Sequence, residues 1–238
     1  RFRGWKEWAV LFSLLYGSTY LLTAIESVYL KTILGASAVV SLLVNGAIVS
    51  GVFAFALVEL LAKEKPEPEI VHNRLTMPRK EWAWKILCSG ALYLLLFIVF
   101  GLAIYAPLAR AIDPSAYASE QASISASAAG LVFPLEFLRG IIWTTLAVLA
   151  TFSLPYDWKK TSVVVGLLLA VPISVSVFLS SAIVPGLQVA HFAELFGENL
   201  VFGIAAVWIL HLHSRLRELT AVTKSTKLST GTIASETQ

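Results

Sequence analysis

Residues 191–211 read HFAELFGENLVFGIAAVWILH, a run apolar enough for a membrane span that nevertheless opens with a histidine, two carboxylates and an amide. At about 100° per residue, Glu194 and Glu198 fall on the same helical face as His191. Charge at the edge of hydrocarbon, or within it, costs several kcal/mol unless it is paired, protonated or hydrated. The rest of the chain must therefore provide partners for one acidic helix face.

The composition is typical of a multi-pass membrane protein. Of the 238 residues, 57% are hydrophobic and only 14% are charged, whereas soluble domains average about 25% charged residues. The net charge of +3 does not indicate a nucleic-acid partner, because the basic residues flank apolar runs as membrane topology requires. The single cysteine, Cys88, allows no disulfide within these residues, and no zinc-binding motif occurs.

The apolar runs predict an all-α fold in which residues 1–213 form one bundle of six transmembrane helices. Each run is long enough to cross a hydrocarbon core of about 30 Å. The spans are predicted near 8–28, 36–62, 84–108, 129–153, 162–184 and 191–213.

Three segments lie outside these spans. Residues 63–83 mix charges with prolines and are predicted to form a solvated loop. Residues 110–128 contain an Asp-Pro turn and then an Ala/Ser stretch, which either extends the fourth helix or packs closely against its neighbours through small side chains. Residues 214–238 are rich in Ser and Thr, so we expect a disordered cytoplasmic tail.

The basic residues predict the orientation of the bundle. Fifteen of the eighteen lysines and arginines fall at the N-terminus, between residues 63 and 85, at 159–160 and in the tail. The positive-inside rule then places both termini in the cytoplasm. The same interface carries Trp5, Trp8, Trp82, Trp84 and Trp158. We expect a lipid bilayer as the surroundings, most simply a prokaryotic cytoplasmic membrane, since no Asn-x-Ser/Thr sequon occurs.

Five charged residues inside the spans, together with His191, fall in the predicted outer halves of their helices, and charges at such a depth usually mark a functional path. They come from the first, fourth and sixth spans. The predicted ligand- or ion-binding residues are Glu26, Glu136, Arg139, His191, Glu194 and Glu198.

The partner of Arg139 is predicted from depth. Arginine stays protonated in essentially any protein environment, so its charge needs a carboxylate or water. Glu198 enters from the same side and lies closest in depth, so we predict an Arg139–Glu198 contact, direct or through one water. The carboxylates outnumber Arg139, Lys31 and a protonated His191, so at least one of them must be protonated, ion-bound or hydrated.

Three functions are compatible with this pattern. The first is an outward-facing polar cavity that binds or passes an ion, a proton or a small polar solute. The second is a non-catalytic subunit of a larger membrane assembly, built with other subunits or a second copy, whose charges only fix helix packing. The third is a membrane-embedded metal enzyme with His191, Glu194 and Glu198 as ligands. The third is the weakest, because no second histidine lies at that depth and no hydrolase or phosphate-binding motif occurs. The sequence indicates no cofactor.

Overall fold

The computed structural model describes residues 4–30, 36–61, 75, 77–128, 130–154, 156–180 and 183–235, and every regular element in these ranges is helical. Lys31 and most of the predicted solvated loop lie outside the described residues. The α-helices are α1 (Trp5–Leu15), α2 (Leu22–Leu30), α3 (Ala36–Leu61), α4 (Arg79–Phe100), α5 (Ala106–Ile112), α6 (Pro114–Ala128), α7 (Val132–Ser153), α8 (Trp158–Phe178) and α9 (Pro185–Ser235).

Among the described residues, six helical stretches are long and apolar enough to cross a membrane, which confirms the all-α class and the predicted number of such helices; we call them spans. They are Trp5–Val28, Ser37–Leu60, Arg79–Ile112, Val132–Ser153, Trp158–Phe178 and Pro185–Leu212.

The fifth span starts earlier than predicted because Asp157 caps α8, and it ends earlier, at Phe178. One of its carboxylate oxygens accepts hydrogen bonds from the backbone N–H groups of Lys159, at 2.8 Å, and Lys160, at 3.1 Å. An N-terminal cap of this kind satisfies donors that have no partner inside the helix. The same two bonds hold the pKa of the Asp157 carboxyl below its usual range.

Two π-helical segments interrupt the spans. Tyr16–Leu21 joins α1 to α2, and Gly101–Tyr105 joins α4 to α5. A π-helical segment changes the direction in which the following side chains of the helix point, and such segments occur often at functional sites. The second one ends on Tyr105, whose ring belongs to the site described below.

Small residues bring the central helices together. A Cβ atom added to Gly203 on α9 would lie 2.6 Å from the Cα of Gly166 on α8. A Cβ atom on Gly140 of α7 would lie 2.9 Å from the Cα of Gly90 on α4. Membrane bundles use small residues in this way to let backbones approach closely. The buried core lies between these helices and includes Trp143, Tyr93, Phe202 and Leu169.

The second span, α3, lies at the edge of the bundle. It packs against the first span, where the indole nitrogen of Trp8 donates to the Gly51 carbonyl at 3.0 Å. Its outer face exposes Val44, Ile48 and Val52. This is the face that lipid is expected to cover.

The Ala/Ser stretch forms a helix of its own, so of the two alternatives the structure shows a helix packed against its neighbours and not an extension of the fourth span. Asp113 starts α6, because its carboxylate accepts hydrogen bonds from the Ala116 backbone N–H at 2.9 Å and the Ser115 hydroxyl at 2.8 Å. These bonds also lower the pKa of Asp113. A turn at Gly130 and Leu131 then separates α6 from α7.

Helix α6 lies against α2, α5 and α9, at the end of the bundle where α2 ends and α7 and α9 begin. We call this the charged end.

The tail also differs from the expectation. Where composition predicts disorder from residue 214, the backbone of α9 continues as a helix to Ser235. A helix that is already formed adds residues without paying the nucleation cost again.

Candidate functional site

Arg139 forms a buried ion pair on its own helix. Its Nη1 lies 2.8 Å from Glu136 Oε1, one turn earlier on α7, and 3.6 Å from Glu26 Oε2 on α2. Arg139 and Glu136 are 6% and 3% exposed. Among the described residues Arg139 and Glu198 form no ion pair within 4 Å, so the direct form of the predicted contact is wrong, and the form through one water stays a prediction. A spacing of three residues puts two side chains on the same helical face, so Glu136 reaches the guanidinium without help from another helix.

His191 joins α9 to α6. Its Nε2 lies 3.1 Å from Glu120 Oε1, and its Nδ1 lies 3.4 Å from Glu194 Oε2. The imidazole ring stacks on the ring of Tyr105, with centroids 4.3 Å apart and planes inclined by 26°. The Tyr105 hydroxyl in turn donates to the other oxygen of Glu120. One imidazole thus connects two carboxylates and an aromatic ring from the third span, the sixth span and α6.

Glu194 lies against the π-helical segment of the third span. A Cβ atom on Gly101 would be 3.4 Å from Glu194 Oε1. Glycine at this position leaves room for the carboxylate beside the backbone. The π-helical segment therefore positions both the Tyr105 ring and the space for Glu194.

Glu198 is fully buried, and neither carboxylate oxygen makes a hydrogen bond of regular geometry with a described residue, although the Tyr93 hydroxyl on α4 lies beside it. Its electrostatic neighbours are Arg139 and Glu136 on α7 and Glu194 on α9. Burial of a carboxylate favours its neutral form unless a nearby positive charge or a bound cation compensates.

The charges of the cluster do not balance. Two positive groups, the Arg139 guanidinium and the His191 imidazole when protonated, face a larger number of acids. The five carboxylates are those of Glu26, Glu120, Glu136, Glu194 and Glu198. With all of them ionised, the cluster would carry three uncompensated negative charges. This balance covers the described residues alone, and protons, cations or positive side chains outside the described ranges make up the difference.

The six residues predicted from the sequence do gather at the charged end, but in subsets. Glu26, Glu136 and Arg139 form one group and His191 and Glu194 a second. Glu198 interacts electrostatically with members of both groups.

Sequence reasoning missed Glu120, Tyr105 and Tyr93. The signal for Glu120 was present, because it is the one carboxylate in a helix of small residues that begins directly after an Asp-Pro cap. Nothing in the local sequence distinguishes Tyr105 or Tyr93 from other aromatic residues of the spans.

The weak metal hypothesis receives no support from the geometry. Within the part of the chain that the structure describes, no three His, Cys, Asp or Glu side chains are arranged to hold a metal ion.

Comparison with known proteins returns no family model that matches the chain, and neither a curated protein nor a solved structure with significant similarity.

Proposed function

We propose that this is an integral membrane protein whose bundle binds and passes a proton or a small cation. The observation that carries the proposal is Glu198, a carboxylate with no exposed surface, no hydrogen bond of regular geometry to either oxygen and the Tyr93 hydroxyl beside it. Ionisable groups at such depth in an apolar bundle are rare and usually mark an ion or proton path.

A gradient of exposure leads to Glu198. The side chains of Glu26, Glu120 and His191 are 29%, 28% and 21% exposed, whereas that of Glu194 is 8% exposed. Glu198 follows one turn deeper on α9 and is 0% exposed. A cation that enters at the charged end therefore meets carboxylates at each step inward.

The orientation proposed for the bundle places the charged end outside the cell. The described basic residues at the starts of α1, α4 and α8 belong to the opposite end, and the positive-inside rule, applied to the basic residues of the sequence, assigns that end to the cytoplasm. They are Lys6, Arg79, Lys80, Lys85, Lys159 and Lys160. The site then takes its proton or cation from the outer side of a prokaryotic cytoplasmic membrane.

The test measures protonation and cation binding at Glu198 directly. Infrared difference spectra of the protein in lipid nanodiscs, recorded as pH or the sodium concentration is stepped, report the carbonyl stretch of a protonated carboxyl. The Glu198→Gln variant is expected to lose one such band or its sodium-dependent change. The matched control is Glu59→Gln, since Glu59 is exposed on the edge helix α3.

Identical spectra and identical sodium binding for wild type and Glu198→Gln would overturn the proposal. That result would favour the alternative of a non-catalytic subunit in which the charges only hold helices together.

A further inference from the structure

A second set of buried polar side chains follows one face of α4 away from the charged end. Glu81, Lys85, Ser89 and Tyr93 are spaced by four residues, which places them in a row along a helix. They are 6%, 0%, 0% and 1% exposed. A polar row three turns long is costly inside an apolar bundle and is retained only where its groups have partners or a role.

The row begins beside Glu198. Tyr93 and Glu198 interact electrostatically, and the Tyr93 ring packs edge-on against Phe202, with centroids 5.1 Å apart. Next to it, the indole nitrogen of Trp143 is buried and has no hydrogen-bond partner among the described residues. The same is true of the Ser89 hydroxyl, one turn further along α4.

The row ends in an ion pair at the opposite end of the bundle. Lys85 Nζ lies 2.9 Å from Glu81 Oε1 and 2.7 Å from the Leu210 carbonyl oxygen on α9. Lys85 is completely buried, and its ammonium is held between the Glu81 carboxylate and the Leu210 carbonyl, one turn from Ser89 along α4.

We propose that this face of α4 is the inner half of the path from Glu198, and that the path carries protons and excludes metal cations. The inference rests on the function proposed above and names the species that is carried. Hydroxyl groups can accept a proton on one side and donate one on the other, which is what a relay needs. Successive members stand about 6 Å apart along the helix, a step that two hydrogen bonds through one bridging water can span.

The proton balance along the row is simple. The Glu198 carboxyl gives up its proton toward Tyr93, each hydroxyl accepts one proton and passes on another, and Lys85 donates to Glu81 while it regains a proton from the Ser89 side. Glu81 then releases the proton at the opposite end. Glu198 regains a proton from the charged end, and the two hydroxyls rotate back before the next transfer. Only O–H and N–H bonds form and break, and every group then stands in its starting state.

A metal ion cannot follow the same row. Sodium- or calcium-like cations need several oxygen ligands at once, of the order of six for hard cations. The row provides two hydroxyls and then a buried ammonium, which repels a cation that cannot exchange with its protons. Lys85 is therefore the selective element of the path.

The experiment uses the full chain in proteoliposomes that hold a pH-sensitive dye, with a potassium gradient and valinomycin setting the membrane potential. Ser89→Ala removes only the relay hydroxyl, and proton flux is expected to fall about a hundredfold, the lower end of what one positioned proton-transfer group contributes. Ser89→Thr restores a hydroxyl and should restore flux. Cys88→Ala, on the exposed neighbouring position, should leave flux unchanged. A sodium-sensitive dye should report no sodium flux in any of these proteins.

Wild-type proton flux in Ser89→Ala would overturn the inference, as would sodium flux in the unmodified chain or the absence of proton flux altogether. The infrared test of Glu198 is independent of these outcomes. A protein that protonates at Glu198 but conducts no protons through α4 would contradict the path alone, whereas loss of the Glu198 signal would contradict the proposed function itself.

Discussion

Arg139 lies 2.8 Å from Glu136 on the same helix, so α7 carries both its buried arginine and the counterion. The pair forms within one helical turn and needs no other span to bring it together. This pairing on α7 affects the acidic residues on α9. Because the guanidinium is already paired, the carboxylates of Glu194 and Glu198 receive no direct salt bridge from it, and Glu198 has to be neutralised in another way.

The pair at Arg139 predicts a strong coupling in stability. Arg139→Leu should destabilise the protein by about 3–5 kcal/mol, because it strands a buried carboxylate. Adding Glu136→Leu should recover part of that loss, so the two effects should not add. Unfolding in mixed detergent micelles measures both. Arg110→Leu, which removes an exposed arginine stacked on Tyr117, serves as the control and should cost little. Strictly additive losses at 136 and 139 would contradict the pairing.

Glu120 is expected to hold α6 over the charged end. Glu120→Gln weakens the contact with His191, and Tyr105→Phe removes the hydroxyl that donates to the same carboxylate. A spin label at position 118, on the exposed side of α6, should become more mobile in both variants. Ser119→Ala changes an exposed neighbour and should leave the label as it is in wild type. Unchanged mobility in the Glu120 and Tyr105 variants would mean that other contacts hold α6.

The crossing of α8 and α9 should tolerate no side chain at Gly203. An added Cβ would meet the backbone of Gly166 at 2.6 Å, and backbone cannot rotate away as a side chain could. Gly203→Ala should therefore destabilise the protein by about 1–3 kcal/mol, the usual cost of overpacking. Gly130→Ala is the matched control, since a Cβ there would meet nothing within 4 Å. Thermal unfolding in detergent compares the two, and equal midpoints would refute the close helix crossing.

The orientation can be read by labelling single cysteines in a Cys88→Ala background. Lys80→Cys lies on the exposed start of α4 and should react with an impermeant maleimide only when inside-out vesicles are used. Ala118→Cys lies on exposed α6 and should react in intact cells. The opposite pattern would place the charged end in the cytoplasm and reverse the direction from which the site is filled.

Several features of the molecule follow from the sequence alone. A long apolar run must form a helix in a bilayer, because only that satisfies its backbone polar groups without water, and this rule holds for each span regardless of its neighbours. The number of spans and the all-helical class are therefore readable from residues taken one run at a time. The clustering of acidic residues at one end of the bundle can also be predicted from the sequence. Successive spans run in opposite directions, so the position of a residue within its span gives its depth in the membrane. Even the row from Glu81 to Tyr93 is visible as a spacing of four.

Tertiary structure decided what those residues face. The rotation of each helix about its axis depends on how it packs, for example on the close approach of Gly203 to Gly166. The depth of a residue in the membrane carries no information about that rotation. Depth alone therefore predicts Glu198 as the partner of Arg139, whereas in the structure Arg139 forms its short ion pair with Glu136. The bond from His191 to Glu120 joins residues 71 positions apart, and it depends on α6 turning back over the bundle as a separate helix. Local propensity determines where helices begin and end, but only the packing of all of them determines which charges meet.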